Sequence, residues 1–155
     1  MIIHDTELHA MCKRGMLSPY YAENVNPASI DLTVGERAVY LTEQRETVVT
    51  DYIAIFPDMP VMLSTAERVC LPDNYAALVV LKSSMGRRGL SMCQAGWVDP
   101  GFAGTLSITL YAVGGPVRLH PGERFCQLVV YRMAGPAAKP YQGKYQGQHG
   151  PTMAR

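Results

Sequence analysis

No two of the four cysteines, at 12, 70, 93 and 126, stand in C-x-x-C spacing, and no histidine cluster accompanies them. That argues against a zinc site of the usual ligand spacing and leaves four reduced thiols, mostly in the core, as the expectation. The H-x-E and P-C-x-x-C pair of a zinc nucleoside deaminase is absent as well. No G-x-G-x-x-G and no βαβ rhythm occur, which excludes a dinucleotide-binding doubly wound sheet. No apolar run approaches the ~20 residues of a membrane span. The first residues, MIIHDTELHA, lack the basic start and apolar stretch of a secretory leader. Charge of one sign is missing too: 14 Lys and Arg against 13 Asp and Glu give +1, too little to draw the chain to nucleic acid or an anionic membrane. A cytoplasmic protein with neither partner is expected. What is present is a globular balance, 48% hydrophobic and 17% charged over 155 residues, enough for one core.

Residues 5–14 read as a short amphipathic helix. Asp5 or Thr6 can cap it, Leu8, Met11 and Cys12 form one stripe, Lys13 and Arg14 suit its C-terminal end, and Gly15 stops it. Residues 29–34 alternate polar and apolar, a strand expected to end at Gly35. Further short strands are expected at 37–42, 46–50, 60–64, 76–82, 90–94, 105–111, 116–119 and 125–132, with Pro and Gly between them. Many short strands with one or two small helices imply an all-β sandwich or barrel. Residues 1–133 are expected to form the β domain. Residues 134–155, rich in Gly, Pro and Gln, cannot build a core and are expected as its C-terminal tail or lid.

Three segments carry chemistry. Leu81–Gly89 (LKSSMGRRG) follows an apolar strand with two hydroxyls, several cations and flexible backbone; it reads as a phosphate cradle or as a solvated basic turn. Ala95–Gly104 (AGWVDPGFAG) places the only tryptophan, Trp97, two residues before Asp99. Asp99 either caps the turn, or orients a water or accepts a hydrogen bond from a sugar hydroxyl. Along 105–111, period two puts Leu106, Ile108 and Leu110 on one face and Thr105, Ser107, Thr109 and Tyr111 on the other. In the tail, Lys139, Lys144 and Arg155 interleave with Tyr141 and Tyr145, suited to an anionic, partly aromatic ligand.

Together these segments resemble the dCTP deaminase branch of the dUTPase superfamily. The resemblance is carried by Asn26-Pro27-Ala28-Ser29-Ile30-Asp31-Leu32, by Lys82-Ser83-Ser84-x-x-Arg87 and by Ala95-Gly96-Trp97-Val98-Asp99-Pro100-Gly101-Phe102-x-Gly104. Pro121-Gly122-Glu123-Arg124-Phe125-Cys126-Gln127-Leu128 and Lys144-Tyr145-Gln146-Gly147-Gln148-x-Gly150-Pro151-Thr152-x-x-Arg155 extend it. It implies a distorted β-barrel or jelly roll with a short N-terminal helix and a C-terminal lid. It also implies a homotrimer with sites at subunit interfaces, binding a pyrimidine deoxynucleoside triphosphate that carries Mg²⁺, with no metal ligands from the protein. By the same resemblance Ser83, Ser84 and Arg87 meet phosphates or the reaction centre, and Lys82 reaches a phosphate from a neighbouring subunit. Asp99 holds the 3′-hydroxyl or activates water, Ala95 presents backbone to the base or its water, and Gln127 sits near the base. Trp97 and Thr109 belong to the nucleotide pocket, and Tyr141, Lys144 and Gln148 close over the triphosphate.

One position departs from the pattern. Deaminases of the family carry a Glu ten residues after the motif Asp, where it shuttles protons; here that residue is Thr109. A threonine hydroxyl cannot act as general acid or base near neutral pH. The expected activity is therefore a diphosphatase that takes dUTP, or a related dNTP, to the monophosphate and pyrophosphate. Two alternatives stay open: a dCTP deaminase, alone or bifunctional, and a catalytically silent nucleotide-binding trimer.

Overall fold

The computed structural model describes residues 1–93 and 96–154. In chain order the elements are α1 (Asp5–Lys13), β1 (Leu17–Ser18), a 3-10 turn (Ala22–Asn24), β2 (Val25–Asn26), β3 (Ser29–Tyr40), β4 (Arg45–Val48), β5 (Ile53–Ile55), β6 (Val61–Cys70) and β7 (Tyr75–Leu81). Then follow α2 (Ser83–Arg87), β8 (Leu90–Met92), β9 (Trp97–Val98), β10 (Ala103–Ala112), β11 (Val117–Leu119) and β12 (Arg124–Arg132). The main sheet runs β8-β10-β6-β3-β12-β7-β9 and curls into a half-barrel, while β11 pairs with β5 in a separate ribbon. The fold is mainly β, as the strand rhythm implies.

The core fills the curl. Leu8 of α1, Ile30 and Leu32 of β3, Leu63 of β6, Leu110 of β10 and Phe125 and Leu128 of β12 are fully buried, each contributing about 1.5–3 kcal/mol by leaving water. Helix α1 packs through Leu8, Met11 and Cys12, with Asp5 and Glu7 in its first turn and Lys13 in its last. Neither Asp5 nor Thr6 caps it: His4 takes the capping position without a side-chain bond, and Asp5 Oδ1 accepts from the Thr6 amide at 2.7 Å. The cysteines divide evenly rather than gathering in the core. Cys12 and Cys126 are buried and Cys70 and Cys93 exposed, because Cys70 falls on the outward side of alternating β6. Burial pushes the Cys12 thiol up to about 11.

Gly35 does not end a strand. The two segments expected at 29–34 and 37–42 are one strand, β3, whose register against β6 shifts between Val34 and Ala38. A Cβ on Gly35 would stand 2.7 Å from Ser64 Oγ, so the glycine lets the neighbouring strand approach at the bend. Strand β6 extends to Cys70, well past 64, and β5 was not signalled by its surroundings: three residues are too few to show a period.

A buried acid joins the same two strands. Glu67, 1% exposed, accepts from the Thr33 amide at 2.9 Å and from the Thr33 hydroxyl at 2.7 Å. Burial raises its carboxyl above the ordinary value, against the lowering effect of those bonds. A raised folded value means that this group stabilises the fold fully below the unfolded carboxylate range and loses that contribution as pH rises through the folded value. The melting temperature of wild type relative to Glu67→Gln is therefore expected to be highest near pH 4 and to fall towards pH 7. Thermal melts of the two proteins across that range check it; a difference that grows with pH would contradict it.

The tail is laid along β10. Gly147 N–H donates to Ala103 O at 2.7 Å, Thr105 N–H to Gln148 O at 3.0 Å, Gly150 N–H to Thr105 Oγ1 at 3.0 Å and Thr152 N–H to Ser107 Oγ at 3.0 Å. A Cβ on Gly104 would lie 2.9 Å from Gln148 O, so only glycine there seats the tail this closely. Thr105 is consequently buried, although it lies on the polar face of its strand.

Candidate active site

The Asp-Pro-Gly turn links β9 to β10 and puts Asp99 at the mouth of a cleft of about 670 Å³. Trp97, Asp99, Ser107, Thr109, Tyr141 and Gln148 all line it. The floor comes from the period-two alternation of β10: Ile108 and Leu110 go to the core, while Ser107 and Thr109 stay half-buried on the other face. Trp97 Nε1–H donates to Asp99 Oδ1 at 3.1 Å. Asp99 is the one carboxylate among the described residues lining the cleft. The Thr109 carbonyl accepts from the Cys93 amide at 3.0 Å, so Thr109 is held by backbone on the side of β8.

The tail closes one wall. Tyr141 packs edge-on against Phe102, ring centres 5.8 Å apart, and its amide donates to Pro100 O at 2.7 Å. Lys144 Nζ lies 5.2 Å from the centre of the Tyr145 ring. The Gln148 side chain is engaged with backbone: Nε2 donates to Thr105 O at 2.7 Å. It therefore anchors the tail in this arrangement.

A second polar cluster lies where β3, β12 and β7 meet. Its centre is Asp31, 2% exposed. Asp31 Oδ1 accepts from Asn26 Nδ2 at 2.8 Å and from Gln127 Nε2 at 3.1 Å; Oδ2 accepts from Lys82 Nζ, with Arg124 at 3.7 Å. Gln127 Nε2 also reaches Ser29 Oγ at 3.1 Å. The buried carboxylate is thus surrounded by donors, as burial of charge requires. Asp31 orients both Lys82 and Gln127. Sequence reasoning gave it no role, although a carboxylate inside an alternating apolar strand was the available signal.

Lys82 leads directly into α2, where Ser83, Ser84 and Arg87 are exposed and Met85 is buried. The next residue, Arg88, is fastened to Glu123 and to the Arg118 carbonyl. Within one chain the basic turn and the Asp99 cleft are separate: Lys82, Ser83, Ser84, Arg87 and Gln127 do not line the cleft. The structure brings together Asp99, Trp97, Thr109, Tyr141 and Gln148, and, apart from them, Lys82 with Gln127. Ala95 and Arg155 lie outside the described residues. Among the described residues no helix is long and apolar enough to cross a membrane.

A family model described as dCTP deaminase-like matches residues 2–133. The chain is 37% identical over 174 residues to a Persephonella marina protein named "dCTP deaminase, dUMP-forming", covering 100% of this chain and 97% of that one. It is 35% identical over 157 residues to the "Probable deoxyuridine 5'-triphosphate nucleotidohydrolase" of Sulfolobus islandicus rod-shaped virus 1, covering 100% and 99%. Proteins of Sulfurihydrogenibium sp., Aquifex aeolicus and Pyrococcus furiosus at 34–38% identity carry deaminase names as well. Among solved structures, the 2'-deoxycytidine 5'-triphosphate deaminase of Agrobacterium tumefaciens superposes with a TM-score of 0.74 at 19% identity, over 83% of this chain and 47% of that one.

Proposed function

Because the chain belongs to the dCTP deaminase-like family, we propose that it hydrolyses dUTP, or a related pyrimidine deoxynucleoside triphosphate, to the monophosphate and pyrophosphate. The observation that carries this reading is the cleft itself: its one carboxylate among the described residues is Asp99. By the family resemblance, Thr109, ten residues on, takes the place of the deaminases' proton-shuttling Glu. Pyrophosphate removal needs only a positioned water and clamps for the phosphates. Asp99 orients the water. The water oxygen bonds to the α-phosphorus, the bond from that phosphorus to the oxygen bridging to the β-phosphorus breaks, pyrophosphate leaves, and the water proton passes by way of Asp99 to solvent. Lys82, Ser83, Ser84 and Arg87 hold phosphate oxygens, and Tyr141, Lys144 and Gln148 close the site.

Since Lys82, Ser83, Ser84 and Arg87 do not line the cleft of their own chain, a second copy would supply them, in keeping with a homotrimer whose sites lie between subunits. Among the described residues no three His, Cys, Asp or Glu side chains gather to hold a metal. A Mg²⁺ that arrives with the substrate would be carried by triphosphate oxygens, as magnesium in phosphoryl-transfer sites commonly is. Bound there, Mg²⁺ supplies charge neutralisation on the phosphates.

The names of the relatives favour a second reading, deamination of dCTP. Forming dUMP from dCTP requires both loss of the amine and loss of pyrophosphate, so the diphosphatase step belongs to that reading too. The two readings separate at Thr109. Thr109→Glu restores a carboxylate beside Asp99 and is expected to release measurable ammonia from dCTP, where the wild type releases none. Ammonia from the wild type would show that another group moves the protons and would establish the second reading.

A further inference from the structure

The single tryptophan occupies an unusual position for a large aromatic. It is 59% exposed, yet it is held from three sides. Its backbone pairs with Leu78 across β7 and β9. Its ring stacks on Tyr131 of β12, centroids 6.5 Å apart and planes at 30°. Its indole N–H is spent on Asp99. Period two explains the reach: Trp97 and Asp99 point to the same side, while Val98 between them is buried and fixes the backbone. Asp99 itself is exposed, on a turn, and the indole is the only side-chain or backbone donor that its carboxylate meets among the described residues.

We propose that Trp97 is a positioning residue for Asp99: the indole N–H pins Oδ1, so that Oδ2 is the oxygen presented to the attacking water, and Tyr131 keeps the indole in place. The inference rests on the reading of Asp99 given above. A carboxylate on an exposed turn samples several rotamers; one directed, charge-assisted bond selects among them. Placement errors of about 1 Å at a reacting group can cost ~10²-fold in rate, so a rotamer choice of this kind is felt in kcat. A ring that served as a stacking surface for the nucleotide would be felt in KM instead.

The chain holds one tryptophan, so growth of a tryptophan auxotroph on β-(3-benzothienyl)alanine changes this residue alone, putting sulfur where the N–H was and leaving the ring shape. The expected result with dUTP is a fall in kcat of about tenfold or more, with KM within about twofold. Tyr131→Ala is expected to lower kcat in the same sense by a smaller factor. Independently of turnover, the one indole ¹⁵N–¹H resonance of the wild type is expected to move upfield in Asp99→Asn, as its anionic acceptor is lost. An unchanged kcat in the substituted protein, a raised KM at unchanged kcat, or an indole resonance indifferent to Asp99→Asn would each overturn the proposal. Asp99→Asn separates it from the reading beneath. If that variant keeps full turnover, the role of Asp99 itself falls. If it is inactive while the benzothienyl protein is fully active, only the role of Trp97 falls.

Discussion

Asp99→Asn is expected to lower kcat for dUTP by about 10²–10⁴-fold, the range for loss of a positioned acid–base group. Stability should change by no more than about 0.5 kcal/mol, as for other exposed substitutions. Asn is nearly isosteric and keeps an oxygen that can accept the indole hydrogen bond, but it cannot take a proton from water. Asp99 is exposed and has no ion pair among the described residues, and its turn is held by backbone bonds from Phe102 N–H to Asp99 O at 3.1 Å and from Gly101 N–H to Leu71 O at 3.0 Å. Those bonds survive the substitution. Steady-state kinetics beside urea unfolding distinguishes the two effects. Full turnover by Asp99→Asn would remove the carboxylate from the chemistry and leave it as a turn residue.

Ending the chain after Lys139 is the second large effect. It removes Tyr141, Lys144 and Gln148 together, and with them the backbone bonds to 103–107 of β10. Each lost hydrogen bond to a charged ligand is worth about 1.5–3 kcal/mol, so two such contacts suffice for a fall in kcat/KM of ~10²-fold or more. The fold itself should persist. The tail adds few buried apolar groups, and the sheet path β8-β10-β6-β3-β12-β7-β9 does not pass through it. Retained kcat/KM in the shortened protein would mean that the tail is a structural strap and not part of the site.

Local rules made much of this fold legible. The stripe Leu8, Met11 and Cys12 marks α1 because a helix repeats every 3.6 residues, and Leu106, Ile108 and Leu110 mark the buried face of β10 because a strand repeats every two. What escaped depends on contacts between distant segments. Gly35 reads as a stop, but its missing Cβ is a space for Ser64, which only pairing with β6 reveals. Glu67 is invisible as a buried acid until Thr33, far away in sequence, meets it. Thr105 looks like a surface residue until the tail covers it. The tail has no periodicity to read, since its order comes from backbone donors meeting β10 rather than from apolar side chains. At the site, the glycine-rich turn marks Asp99 and the family resemblance marks Thr109, and both line one cleft. The hub role of Asp31 was not found, because it depends on β3, β7 and β12 lying side by side.

The most direct test is to incubate the purified wild type with dUTP and, separately, with dCTP, each with Mg²⁺, and to assay pyrophosphate and ammonia while nucleotides are separated by ion exchange. Pyrophosphate and dUMP from dUTP, with no ammonia from dCTP, are expected of a cleft that holds Asp99 and Thr109. Ammonia from dCTP would contradict the diphosphatase reading, and no product from either nucleotide would leave a binding protein in place of an enzyme.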